Sequence, residues 1–76
     1  MEKEILYKRV GAKIKSIRQS KGLSLMDVVG KIEGGIDKSN LSRIEAGRTN
    51  PTLYTLYRLA SCFGVPLKEL VDIDLR

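Results

Sequence analysis

Residues 23–47 read LSLMDVVGKIEGGIDKSNLSRIEAG. Ser24, with an aspartate three positions later, is typical of a capping box at the start of a helix. Asp37 is a second N-cap candidate. The two adjacent glycines between them interrupt any continuous helix. The stretch therefore predicts two short helices, over about 25–32 and 38–46, joined by a glycine-containing turn.

Helical patterns flank this stretch on both sides. Before it, four apolar residues recur at spacings of four, four and three, which places them on one side of a helix over about 4–20: Leu6, Val10, Ile14 and Ile17. After it, apolar residues favour helices over about 53–63 and 66–72. No strand-like alternation is sustained. The expectation is an all-α fold of five helices in a single domain, 1–76.

The composition excludes several classes of protein. A chain of 76 residues has a single cysteine, Cys62, and no histidine, so an internal disulfide and a Cys/His zinc site are excluded. With no paired-carboxylate constellation or glycine-rich phosphate loop either, we expect no enzyme, no metal and no cofactor. No apolar run approaches the roughly 20 residues that span a membrane, and the first residues contain no apolar h-region, so we expect no signal peptide. A cytoplasmic protein, with Cys62 as a structural residue, is expected.

Positive charge is concentrated at the start of the chain. Residues 1–21 contain seven Lys or Arg and two Glu. The net charge of this segment, +5, equals that of the whole chain. A basic helix attracts polyanions, either nucleic acid or an acidic membrane surface. An ordinary solvated helix face is the alternative.

The helix over 38–46 has two different sides. At about 100° per residue, Leu41 and Ile44 point together and are expected to face the core. The opposite side carries Ser39, Arg43 and Ala46. Small side chains would let a helix approach base edges closely, and arginine supplies a bidentate donor pair for guanine. Two short helices with such a surface are typical of a helix-turn-helix, whose second helix enters the DNA major groove.

Two more residues of this helix have open roles. Lys38, in the first turn, can reach a base edge or a phosphate. Asn40 lies to one side and suits a phosphate contact or a local hydrogen bond.

Over about sixty residues, six segments follow one another in the order and at the spacings of a known protein family. They are Ile14-x-x-Ile17-Arg18, Lys21-Gly22-Leu23-Ser24, Leu41-Ser42-Arg43-Ile44-Glu45-Ala46-Gly47-Arg48, Pro51-Thr52-Leu53, Thr55-Leu56-x-x-Leu59-Ala60 and Phe63-Gly64-Val65-Pro66-Leu67-x-Glu69-Leu70. In these segments the chain resembles the lambda-repressor-like, or Xre, family of helix-turn-helix domains. The resemblance implies a five-helix domain that binds double-stranded DNA and regulates transcription, usually as a dimer.

The resemblance also implies roles by position. The base-reading positions are Lys38, Ser39 and Arg43. The phosphate-contacting positions are Asn40, Arg48, Thr49 and Asn50. A structural ion pair is expected between Arg18 and Glu45.

Two departures from the family pattern affect the site. Between Val28 and Leu41 the chain has two more residues than is usual in the family. The sequence therefore does not determine the angle between the two helices. Leu25 stands where the family often has a glutamine that contacts phosphate. Leu25 either packs locally or approaches a sugar or a thymine methyl group.

The apolar C-terminal segment, 65–75, is the candidate interface of a homodimer. The same apolar residues favour an alternative function, a protein-interaction module such as an antitoxin or adaptor that uses this fold to hold a protein partner.

Overall fold

The chain folds into five helices without strands in the computed structural model, which describes residues 1–76. They are α1 (Lys3–Ser20), α2 (Leu25–Lys31), α3 (Lys38–Glu45), α4 (Leu53–Phe63) and α5 (Leu67–Leu70). The predicted all-α, five-helix fold is confirmed, and the first four helices begin and end within one residue of the expected positions. The molecule measures 34 × 22 × 21 Å. None of its helices combines the length and the apolar character needed to cross a bilayer.

Side chains cap the first turns of α2, α3 and α4. Ser24 Oγ accepts a hydrogen bond from the Asp27 backbone N–H at 3.0 Å, and the Asp27 carboxylate accepts one from the Ser24 backbone N–H at 2.8 Å. The Asp37 carboxylate accepts from the Asn40 backbone N–H at 2.6 Å. Thr52 caps α4 in the same way. Because these N–H groups have no partner inside their helices, the caps determine where each helix starts.

All five helices contribute to one apolar core. Its ten buried residues are Ile14, Val28, Ile32, Leu41, Ile44, Leu56, Leu59, Ala60, Phe63 and Leu70. α3 packs against α1 and α2, and α5 packs against α4 and α1. Full burial of a valine, leucine, isoleucine or phenylalanine side chain contributes about 1.5–3 kcal/mol to the stability of the fold. The core therefore holds α3 from one side and leaves its other side free.

The last helix is shorter than the predicted range 66–72. Pro66 has an extended backbone, with ψ of 150°, and precedes the first helical residue. The helix makes one turn, which buries Leu70 completely, while Val71 is 48% exposed. After this turn Val71 leaves the helical conformation, with φ of −111° and ψ of 10°. The prediction was wrong in the length of this helix.

Candidate nucleic-acid interface

α3 has a buried side and an exposed side. Leu41 is fully buried and Ile44 is 2% exposed, which fixes the rotation of the helix about its axis. The other side is exposed to solvent along its whole length: Lys38, Ser39, Ser42, Arg43 and Ala46. Neither cation on this side takes part in the ion pairs of the protein. Their donors are therefore free to bond to an external acceptor.

The loop after α3 carries three of the predicted phosphate-contacting residues. The first of these three, Arg48, donates its backbone N–H to the carbonyl of Arg43 at 2.9 Å, so the loop is folded against the last turn of α3. The side chains of Arg48 and Asn50 are exposed, whereas Thr49 is half-buried. The fourth predicted residue, Asn40, is half-buried, and its backbone N–H is already bonded to the α3 cap.

Arg18 of α1 and Glu45 of α3 form a buried, bidentate ion pair. Arg18 Nε donates to Glu45 Oε2 at 2.7 Å, and Nη2 donates to Oε1 at 3.0 Å. The third nitrogen, Nη1, donates to the Leu23 carbonyl at 2.7 Å. The two side chains are 9% and 6% exposed. One guanidinium thus joins the end of α1, the segment that precedes α2, and the end of α3.

The negative charge of Glu45 stabilises the positive charge of Arg18. The hydrogen bond to Glu45 is the main influence that raises the pKa of Arg18, and it outweighs the opposing effect of burial. The arginine therefore stays charged at neutral pH. Since an unpaired buried charge is costly, each partner requires the other.

Two glycines allow α1 and α3 to approach each other closely. A Cβ at Gly11, in the middle of α1, would lie only 2.7 Å from the Glu45 carbonyl oxygen. A Cβ at Gly47 would lie 2.7 Å from the Lys8 backbone nitrogen. Sequence reasoning overlooked Gly11, although an isolated glycine inside a helical pattern usually has a packing reason.

A small groove runs between α1 and the exposed side of α3. It has a volume of about 190 Å³, and its lining includes Lys15, Leu25, Ser42 and Ala46. Leu25 is half-buried and packs against the core, so it packs locally, as one of its two predicted roles required. Lys15, which the sequence marked only as part of a basic helix, is exposed and lies beside the outer edge of α3.

The chain matches the model of the HTH_3 helix-turn-helix family over residues 14–70, which is three quarters of its length. It belongs to the HTH_3 family. The predicted resemblance to lambda-repressor-like, or Xre, domains is therefore confirmed.

Curated members of the family similar to this chain are described as transcriptional regulators. One is the uncharacterized HTH-type transcriptional regulator y4dJ of Sinorhizobium fredii, 42% identical over 66 residues that cover 87% of this chain and 83% of that protein. Another is the HTH-type transcriptional regulator DdrOP3 of Deinococcus deserti, 40% identical over 60 residues that cover 79% of this chain. This chain spans only 45% of the length of DdrOP3.

A solved structure supports the same family assignment. The crystal structure of the DNA-binding domain of BldD superposes with a TM-score of 0.81 and is 36% identical in sequence. The match covers 92% of this chain and 97% of that one. The five-helix arrangement of this HTH_3 member is therefore that of a known DNA-binding domain.

The turn between α2 and α3 of this HTH_3 member depends on glycine. Gly34 and Gly35 both have positive φ, 82° and 77°, which other residues rarely adopt. The turn places Ile36 half-buried against the core, and α3 begins immediately afterwards. Two consecutive left-handed residues thus connect the end of α2 to the start of α3.

Proposed function

We propose that residues 1–76 act as one DNA-binding domain of a transcriptional regulator, with α3 inserted in the major groove. The observation that supports this most directly is the exposed side of α3, which carries Ser39 and Arg43 opposite the buried Leu41 and Ile44. An α-helix with its side chains is about 10–12 Å in diameter, which fits a major groove about 12 Å wide. α1, α2 and the ion pair hold this helix from behind.

The proposed roles follow the positions of the side chains. Base edges are contacted by Lys38, Ser39 and Arg43. Phosphates are contacted by Asn40, Arg48, Thr49 and Asn50. Phosphate contacts fix the register of a protein on the duplex without reading sequence, so the two groups predict different effects of substitution. The exposed Arg48 and Asn50 suit phosphate contacts best, because solvent already surrounds their side chains.

Selection of bound sequences from random double-stranded DNA tests the base-reading role. We expect a short preferred sequence for the wild type. Arg43→Ala should cost about 1–3 kcal/mol and relax the preference at one base pair. Arg76→Ala removes the same charge at a site remote from α3 in sequence and serves as the control. Identical binding of wild type and Arg43→Ala to the selected and scrambled sequences would contradict the proposal.

Salt dependence tests the phosphate contacts separately. Removing one phosphate contact should reduce the slope of log affinity against log salt by about 1. We expect this change for Arg48→Ala, with an unchanged sequence preference. A change of preference without a change of slope would assign Arg48 to base reading instead.

A homodimer that uses segment 65–75 is part of the proposal. Within this segment Leu70 belongs to the core, while Val71 and Leu75 are 48% and 67% exposed. Both line an open, largely apolar groove of about 350 Å³ beside α1. Reading two half-sites of one operator requires a dimer whose two α3 helices lie about 34 Å apart. Sedimentation at high micromolar concentration should show a dimer for the wild type and a monomer for Val71→Asp; a monomeric wild type would contradict this part.

The same groove favours a second candidate function, a protein-interaction module such as an antitoxin or adaptor. An exposed apolar groove is a common feature of sites that bind protein partners. A stoichiometric protein partner, together with no retention of DNA at low salt, would support this function over DNA reading.

A further inference from the structure

The turn between α2 and α3 has almost no backbone hydrogen bonds of its own. Within residues 33–36 the single one runs from the Gly35 N–H to the Ile32 carbonyl, and at 3.4 Å it is long. The carbonyls of Glu33 and Gly35 accept no backbone N–H. A turn with two glycines and so few bonds can adopt many conformations unless other groups restrict it.

Arg58 of α4 supplies the missing donors. Its Nη1 donates to the Glu33 carbonyl at 2.9 Å and to the Gly35 carbonyl at 2.7 Å. These are the side-chain hydrogen bonds that the turn receives, and they come from a residue 23 to 25 positions away in the sequence. One nitrogen thus bridges both sides of Gly34.

The guanidinium of Arg58 is itself held in place. Its central carbon lies 5.7 Å from the centre of the Tyr54 ring, a cation–π distance, and Tyr54 stacks on Tyr57. A Cβ at Gly34 would approach Nη1 to 3.1 Å, so the glycine leaves the space that the guanidinium fills. The Nε of Arg58 is buried without an acceptor, which leaves the two turn carbonyls as its hydrogen-bonding partners.

We propose that Arg58 is a positioning residue for DNA recognition, which fixes the turn and thereby the angle at which α3 meets the duplex. This inference rests on the proposed function. The turn ends at Asp37, the cap of α3, so a change in the turn moves the first turn of the recognition helix. DNA affinity falls in proportion to the fraction of molecules in which that helix is correctly placed.

Three variants test the proposal. Arg58→Met removes the charge and the donors but keeps an unbranched stem beside Tyr54. Arg58→Lys keeps the charge and several donors, and is the conservative variant that should recover part of the function. Arg76→Met makes the same chemical change at a side chain that is 93% exposed, and measures the effect of losing one positive charge.

Each variant is measured in three ways. Affinity is determined for the operator selected with wild type and for scrambled DNA, and hydrogen exchange is followed at the amides of Gly35 and Asn40 in the free protein. For Arg58→Met we expect about tenfold weaker operator binding, with scrambled DNA weakened no more than in Arg76→Met. Exchange at the two amides should accelerate, while amides in the core helices remain protected. Arg58→Lys should bind the operator between wild type and Arg58→Met.

Several results would overturn the inference. Equal losses for operator and scrambled DNA would make Arg58 a phosphate contact rather than a positioning residue. Operator binding by Arg58→Met equal to that of Arg76→Met, or unchanged exchange at Gly35, would show that the turn does not need it. If the wild type prefers no sequence, the proposed function is refuted instead. The exchange measurement alone then decides whether Arg58 fixes the turn. Arg58→Gln replaces Arg58→Met if that variant does not fold.

Discussion

Gly11→Ala should destabilise the protein although alanine favours helices. A Cβ at this position would lie 2.7 Å from the Glu45 carbonyl oxygen and closer still to that of Ile44. Comfortable carbon–oxygen contacts begin at about 3.3 Å, so α1 and α3 must separate by roughly 0.6 Å or more. A radial gap of about 0.5–1 Å already loses a quarter to a half of the dispersion energy of the affected contacts.

The expected size of the effect follows from two opposing terms. Alanine gains about 1 kcal/mol of helix propensity over glycine. Overpacking against rigid backbone costs about 1–3 kcal/mol and occasionally more. Since the neighbours of Gly11 are backbone carbonyls that cannot move aside, we expect the upper end of that cost and a net loss of about 2 kcal/mol. In a domain of this size the thermal midpoint should fall by roughly 8–16 °C.

Gly30→Ala is the matched control. Gly30 lies in α2, and a Cβ there meets nothing within 4 Å. The same substitution should therefore stabilise the protein by about 0.5–1 kcal/mol. Thermal and urea unfolding followed by circular dichroism measure both variants. A Gly11→Ala midpoint at or above that of the wild type would refute the close approach of α1 and α3.

Three further predictions concern ionisable groups. Glu45→Ala should lower the free energy of unfolding by about 3–5 kcal/mol in urea titrations, because it leaves Arg18 buried and unpaired; a loss under about 1 kcal/mol would contradict this. The hydrogen bond from the Ser24 backbone lowers the pKa of Asp27. Its stabilising effect is therefore present above the unfolded pKa of about 3.9 and lost as the pH falls through the folded value, so Asp27→Asn should flatten the decline of the thermal midpoint below about pH 4. Burial raises the pKa of the Cys62 thiol, so alkylation at pH 8 should be slower in the folded protein than in denaturant; equal rates would contradict its half-buried position.

The sequence predicted local features well because their causes are local. The caps at Ser24 and Asp37 act within three residues, and the periodicity that buries Leu41 and Ile44 is a property of one helix. The same periodicity separates the exposed Arg43 from the core. The predicted length of α5 was wrong: Pro66 is extended and Val71 leaves the helical conformation after one turn, although the apolar pattern continues through Val71.

Contacts between distant segments were decided by the tertiary structure. Nothing near Arg58 in the sequence indicates that it bonds to the turn at residues 33–35, and nothing near Arg9 indicates that it donates to the carbonyls of Asp74 and Arg76. Gly11 becomes significant only when α3 crosses α1. Hydrogen-bond periodicity and capping depend on neighbours along the chain, so sequence alone determines the first four helices and the two sides of α3. The distances between helices depend on how all side chains pack together, and the orientation of α3 in the molecule is therefore decided by the tertiary structure.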